Sequence, residues 1–249
     1  MSDTSILFDD GGVISNNLVK SEQWKKLLGQ YLVPKYGGNP QSWAEANEKF
    51  VVDIAQKLSS LSLENRYLSF KEFKEMEDET FIESMFKYIN IPLPEKEEYH
   101  SIRREIEAFV APKVSCAIPG IKKSIETLYD SGYKLFMASG DCSWVLKDYL
   151  TTMGVKNYFI NYYGPDITNV MKTSINYYEV IFEHAKIQAK QAIVIDDTPI
   201  HLQYASQLGA KTIQSLAVTK KPISCKYYYS DPLTLPSIIE KIVTEMAQN

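Results

Sequence analysis

Arginine is nearly missing from this chain. Only Arg66, Arg103 and Arg104 occur, among 27 lysines and arginines in total. Lysine carries the positive charge instead, which reflects composition rather than function. Cysteine is as scarce: Cys116, Cys142 and Cys225 are odd in number, far apart, and form no Cys-x-x-Cys pair. That excludes a disulfide framework and a thiolate metal site. Reduced thiols in a cytoplasm are the expected setting. No apolar run approaches the roughly 20 residues of a membrane-spanning helix. No basic stretch followed by a short apolar one opens the sequence, so neither export nor a membrane partner is expected. Nor is there an excess of positive charge. The formal net charge is -4, which leaves no electrostatic footprint for nucleic acid. Small molecules or other proteins are the expected partners.

The sequence does contain enough apolar residues for a large core. It has 249 residues, 45% of them hydrophobic, enough for one large domain or two unequal ones. Near its start stands Ser5-Ile-Leu-Phe-Asp-Asp-Gly-Gly-Val-Ile14. Residues 5–9 read as a short buried strand that ends on charge. From about Leu18 to Val110 the pattern is helical. Trp24, Leu27, Leu28, Tyr31 and Leu32 share one helical face, with Pro34 and Gly37-Gly38 expected to stop that helix. Three further helical stretches follow, one carrying Phe70, Phe73, Phe81, Met85 and Ile89. After Pro112 the texture changes. Strand candidates around 133–138, 156–163, 192–196 and 211–215 alternate with helix candidates, and 235–248 reads as a closing helix. Such alternation means a parallel α/β sheet with helices on both faces. The simplest assembly is a Rossmann-like core from residues 1–14 and 112–249, carrying an all-helical insertion at 15–111.

In a sheet of this kind, ligands sit beyond the carboxyl ends of the strands. This sequence places Asp9-Asp10, then Ser139-Gly140-Asp141, then Lys172, then Asp196-Asp197-Thr198 at those ends. The order is acid, hydroxyl, lysine, acid pair.

That order resembles the haloacid dehalogenase superfamily, most of whose members are phosphatases. The matching motifs are Asp9-Asp10-Gly11-Gly12 after an apolar strand, Ser139 at the end of a second strand, and Lys172 before a helix. The fourth is Asp196-Asp197 in "IDDTPIHLQYASQLGA". The resemblance implies a helical cap inserted after the first motif, and Asp9 as a nucleophile that becomes an aspartyl-phosphate. Asp9 and Asp197 would repel one another unless a cation lay between them, which suggests Mg²⁺, with the Gly11 carbonyl as a third ligand. Ser139 and Lys172, with Gly140 beside them, are expected to hold the oxygens of a small phosphorylated substrate. Lys172 is also expected to keep Asp9 ionised. Asp10 and Asp196 are expected to support the site from behind.

Taken singly, each of these residues has a plain structural reading. An Asp at a strand end caps helices, Ser139 could cap the helix that follows, and Lys172 could be a surface lysine. His201 stands where the family usually has a second acid or Asn, and an exposed helical position is the expectation for it. Gly11 departs from the pattern. Many phosphatases of this family carry a second Asp there, as general acid and base, and Gly supplies no carboxylate. Two other functions follow from that gap. One is a metal-free hydrolase of the dehalogenase type, with Asp9 attacking carbon. That branch usually has an aromatic residue at the Gly11 position and an early Arg, and Arg66 is poorly placed for the role. The other is a non-catalytic scaffold or regulator, against which the retention of Asp9, Lys172 and Asp197 argues.

Overall fold

The structure is a computed structural model, and it describes residues 4–60, 69–219 and 221–248. Arg66 lies outside the described residues. The chain divides into two compact units, one formed by residues 1–17 and 115–249 and the other by residues 18–114. The boundaries therefore lie three residues later than 14/15 and 111/112. The reason is local pairing. Ser15 bridges to both Gly11 and Ala117, the Asn16 amide donates to the Cys116 carbonyl at 2.7 Å, and the Ile118 amide donates to the Ile14 carbonyl at 2.8 Å. The outgoing and returning strands of chain hold each other inside the first unit.

The first strand, β1 (Ser5–Phe8), is buried at all four positions. The helices α1 (Asn17–Tyr36), α2 (Pro40–Ser60), α3 (Phe70–Tyr88) and α4 (Tyr99–Val110) follow. Pro34 does not stop α1, which runs on to Tyr36. A proline in the last turn forfeits only one intrahelical bond, and the Gly37 amide still donates to the Val33 carbonyl at 2.9 Å. Gly37 and Gly38, at φ of +77° and +75°, end the helix. The core of this unit is aromatic: Trp43 packs against Phe86 and Phe50 against Phe81, in edge-on pairs. Phe81 and Met85 are buried as their spacing predicts, whereas Phe70, Phe73 and Ile89 are only half-buried. Lys74 and Asp78 take buried positions on α3 in their place. They are tolerated because they neutralise one another at 2.7 Å, and Lys74 also reaches Glu107 of α4 at 3.2 Å.

The rest of the chain continues with α5 (Ile121–Asp130), β2 (Lys134–Ala138), α6 (Ser143–Thr152), β3 (Asn161–Tyr163), α7 (Pro165–Thr168) and α8 (Asn176–Ala185). Then come β4 (Ala192–Asp196), α9 (Pro199–Gln207), β5 (Lys211–Ser215), β6 (Tyr227–Tyr229) and α10 (Leu235–Ala247). Among the described residues, six strands form one parallel sheet in the order β3-β2-β1-β4-β5-β6. The 156–163 segment is a single turn followed by a three-residue strand, because only its second half reaches β2. Strand β6 and the short helix α7 have no counterpart among the expected elements, and α6 is expected only as a helix somewhere after Ser139. "KYYYS" is too short and too polar to show a period of two, and Trp144, Val145 and Tyr149 sit among too many polar neighbours to show a clean stripe.

Parallel strands are buried on both faces and read as near-continuous apolar runs. Leu7, Phe136, Ala138 and Val194 join Tyr178, Ile181, Leu202 and Ala205 of α8 and α9 in one core. The chain leaves β1 in one direction through β2 and β3, then returns to the other side of β1 through β4. The strand order thus reverses between β1 and β4, where their carboxyl ends open a crevice.

The turn after β1 depends on Gly12. Its φ is +76°, and a Cβ placed there would lie 2.6 Å from Asp197 Oδ2. A Cβ on Gly11 would meet only the carboxamide end of the exposed Asn17 side chain, at 2.8 Å. Gly12→Ala is therefore expected to cost roughly 2 kcal/mol or more, from left-handed strain plus the clash. Gly11→Ala should cost clearly less, because Asn17 can swing aside. Urea unfolding of both variants in EDTA checks the order, and equal losses would contradict it.

Candidate active site

The crevice brings together four of the segments that carry chemistry. Register aligns Phe8 of β1 with Ile195 of β4, so the next residues, Asp9 and Asp196, emerge side by side. The Asp9 amide donates to the Ile195 carbonyl at 2.9 Å, which prolongs the ladder by one residue. On the other flank Phe8 aligns with Met137 of β2, and Ser139 follows at the strand's end.

Lys172 comes from the loop before α8 and is only 5% exposed. Its ammonium donates to Asp9 Oδ1 at 2.8 Å and to the Ala138 carbonyl at 2.7 Å, and it lies 2.6 Å from Asp196 Oδ2. A surface role for this lysine is excluded by its burial. Burial alone would lower its pKa, but the Asp196 and Asp9 carboxylates outweigh that and hold it well above the ordinary lysine range.

Asp196 is fully buried. Burial works to raise its pKa, yet Lys172 and His201 beside it prevail and hold it at about 2. It also accepts from the Thr198 amide at 2.8 Å. Asp9 goes the other way. Burial, opposed by Lys172 and reinforced by the charge of Asp196, pushes it up to about 8. Lys172 pulls in the ionised direction but does not offset burial, so by itself it does not keep Asp9 ionised, contrary to expectation.

Asp197 is buried as well, and both of its oxygens are engaged. Thr198 Oγ1 donates to Oδ1 at 2.9 Å and Lys221 Nζ to Oδ2 at 2.6 Å. Ligand oxygens of Asp9, Asp196 and Asp197 all lie within 4.8 Å of one another. Three hard carboxylate donors that close suit Mg²⁺ rather than a soft metal, and Asp196 Oδ2 is buried with no well-aligned hydrogen bond. The donor set fits a divalent cation.

Ser139 does not cap α6, which starts at Ser143. Its Oγ accepts from the Asp141 amide at 3.1 Å, which leaves the hydroxyl proton free to donate. Gly140 is exposed, with open space where a Cβ would be. Asp10 is fully buried and turned away; its carboxylate accepts from Ser15 Oγ, and its carbonyl collects the Ile14 and Ser15 amides at 2.9 and 2.8 Å. It shapes the turn after β1. His201 is not an exposed helical residue. It is 24% exposed, and Nδ1 lies 3.3 Å from Asp196 Oδ2.

Tyr177 and Lys221 escape sequence reasoning, which places Thr198 at the site without a role. Tyr177 OH lies 2.8 Å from the Ser139 carbonyl and 2.9 Å from the Tyr163 carbonyl, so it ties the ends of β2 and β3 together. Thr198 orients both Asp196, the last residue of β4, and Asp197, which follows it. Lys221 arrives from the loop between β5 and β6. Its only signal was a basic pair before a proline, at the carboxyl end of a strand.

A family model described as haloacid dehalogenase-like hydrolase matches residues 47–215, more than half of the chain. The chain belongs to the haloacid dehalogenase-like hydrolase family. The match begins beyond Asp9, so the β1 motif rests on the geometry above. Solved structures of the family share the fold. The hydrolase YfnB from Bacillus subtilis, bound to magnesium, has a TM-score of 0.67 at 16% identity, covering 96% of this chain and 99% of that one. L-2-haloacid dehalogenase from Xanthobacter autotrophicus has a TM-score of 0.65 at 11% identity, with 96% and 99% covered. A Haemophilus somnus protein predicted to be a phosphoglycolate phosphatase has a TM-score of 0.63 at 14% identity, with 96% and 99% covered. At these identities the likeness carries the fold alone, and it is shared by dehalogenases and phosphatases alike. No curated protein sequence matches the chain.

Two outcomes follow from the charges of this haloacid dehalogenase-like site. Lys172→Met leaves the Asp196 carboxylate buried without its cation, so a loss of about 3–5 kcal/mol is expected. Adding Asp196→Asn should recover most of it, as read by urea unfolding. The second outcome concerns pH. The folded state raises Asp9 from 3.8 to about 8, so it holds a proton that the unfolded chain has released. Stability contributed by that proton is complete below the ordinary value and is lost as pH rises towards 8. Asp9→Asn mimics the protonated form. In EDTA its melting temperature should exceed that of the unmutated protein, by a margin that widens from about pH 5 to 8. A constant margin would contradict the assignment.

Proposed function

We propose that this hydrolase is a Mg²⁺-dependent phosphatase of a small phosphorylated metabolite, with Asp9 as the nucleophile. The observation that carries the reading is the three-carboxylate cluster at the β1/β4 crevice, with oxygens within 4.8 Å and the Lys172 ammonium set against two of them. A hydrolase that displaces halide from carbon does not need a set of acids at the end of β4 to hold a metal. Phosphoryl transfer does, because it must neutralise a transferred group that carries negative charge. Asp9, Asp197 and the Gly11 carbonyl would hold the ion, which would bring Asp9 into its ionised form and offset the phosphate's charge. Magnesium in the Bacillus subtilis relative is consistent with this choice.

The Asp9 carboxylate oxygen attacks phosphorus; the new bond forms as the phosphorus–oxygen ester bond breaks, and the leaving group departs as an alkoxide or aryloxide that takes its proton from water. Water then attacks the aspartyl-phosphate, releasing inorganic phosphate and restoring the carboxylate. Lys172 fixes the attacking group in place. Ser139, whose hydroxyl proton is uncommitted, donates to a phosphoryl oxygen, and the exposed Gly140 leaves the approach open. The helical unit of residues 18–114 is the candidate for substrate selection.

Gly11 brings no acid to protonate the leaving group. General acid catalysis is typically worth about 10²–10⁴-fold, so the penalty falls on leaving groups that are basic. Turnover of p-nitrophenyl phosphate is expected to exceed that of simple alkyl and sugar phosphates in a metabolite screen with Mg²⁺. Gly11→Asp should narrow the gap by speeding the alkyl esters, once Asn17 gives way. Asp9→Asn should abolish both. Equal rates on aryl and alkyl esters would mean that another acid serves the leaving group.

A further inference from the structure

We propose that Lys221 is a cation built into the metal side of this site, and that it competes with the divalent ion for Asp197. The inference rests on the Mg²⁺-dependent reading above. Lys221 Nζ lies 2.6 Å from Asp197 Oδ2 and 3.5 Å from Thr198 Oγ1. Because Thr198 holds the other oxygen, Asp197 has no face untouched by a donor.

The lysine does not arrive by chance of a long side chain. Gln214 of β5 is fully buried, an unusual residue for the middle of a parallel sheet. Its Nε2 donates to the Pro222 carbonyl at 3.0 Å, and its Oε1 accepts from the Ser224 amide at 2.7 Å and the Ser224 hydroxyl at 3.0 Å. A buried side chain is thereby committed to fixing the loop immediately after Lys221. The neighbouring Ser215 hydroxyl donates to the Gly12 carbonyl at 2.6 Å, tying the same strand end to the turn that lies against Asp197. The backbone on one side of Lys221 is pinned, while its side chain stays 33% exposed. An ammonium so placed can leave for solvent without disturbing the loop.

Two cations within a few ångströms of one carboxylate repel strongly in a partly buried site. A divalent ion that takes Asp197 must therefore displace Lys221. The lysine keeps Asp197 neutralised when no metal is bound, and it weakens the metal's hold. Metal loading becomes an exchange of one cation for another.

The test is direct metal binding by the full chain, titrated with Mn²⁺ and read by electron paramagnetic resonance, and with Mg²⁺ read by calorimetry. Lys221→Gln is expected to bind either ion about tenfold more tightly or better, since one unit charge beside a divalent ion is removed. Lys221→Arg keeps the charge and should bind much as the unmutated protein does. Amine-reactive labelling of the unmutated protein gives a second readout that needs no variant to fold. Labelling of Lys221 should rise at saturating Mg²⁺ and stay unchanged in Asp197→Asn. If Lys221→Gln binds no more tightly while the unmutated protein binds well, or if Mg²⁺ leaves the labelling of Lys221 unaltered, the competition is overturned and the phosphatase reading stands. If neither protein binds metal, both fall together.

Discussion

The site depends on one ammonium held among three oxygens. Lys172 faces Asp9, Asp196 and the Ala138 carbonyl, and it does so almost out of contact with water. Burying a carboxylate is costly unless a partner and hydrogen bonds accompany it. Here two carboxylates share one cation, so the burden is not divided evenly. Asp196 has His201 and the Thr198 amide as well and stays charged, whereas Asp9 is driven towards its protonated form. The arrangement leaves Asp9 without a full share of the one cation beside it.

The rest of the core serves that arrangement. Strand β1 lies between β2 and β4, and register sets Asp9 beside both strand ends. Tyr177, fully buried at the start of α8, ties the ends of β2 and β3 and thereby steadies the carbonyl side of the Lys172 pocket. Gly12 lets the turn pass close against Asp197. Lys221 then neutralises that acid from the opposite direction. Two lysines, from loops some fifty residues apart, face three acids.

The helical unit shows the same rule at another place. Lys74, Asp78 and Glu107 are buried on α3 and α4, in contact with one another. A helical wheel assigns charged residues to solvent, and periodicity alone cannot reveal that two helices bury a matched set between them. The half-buried Phe70 and Phe73 are the counterpart of that exchange.

Much was legible in the chain before any coordinates. Apolar runs ending in acid mark β1 and β4, because a parallel strand is buried on both faces and its charge can appear only at the open end. Four polar segments at such ends, in a set order, suffice for the family. Helical spacing marks α1 to α4 and glycines mark the end of α1. What the sequence by itself could not determine is how the charges are apportioned. Lys172 lies far along the chain from Asp9, and Lys221 some two hundred residues from it; neither distance is a local property. Whether Lys172 serves one acid or two, whether His201 faces water or Asp196, and which lysine reaches Asp197 are settled by burial and by the strand order. Desolvation and the partner charges that oppose it, whose balance sets the sign of each pKa shift, exist only once the sheet has closed around the site.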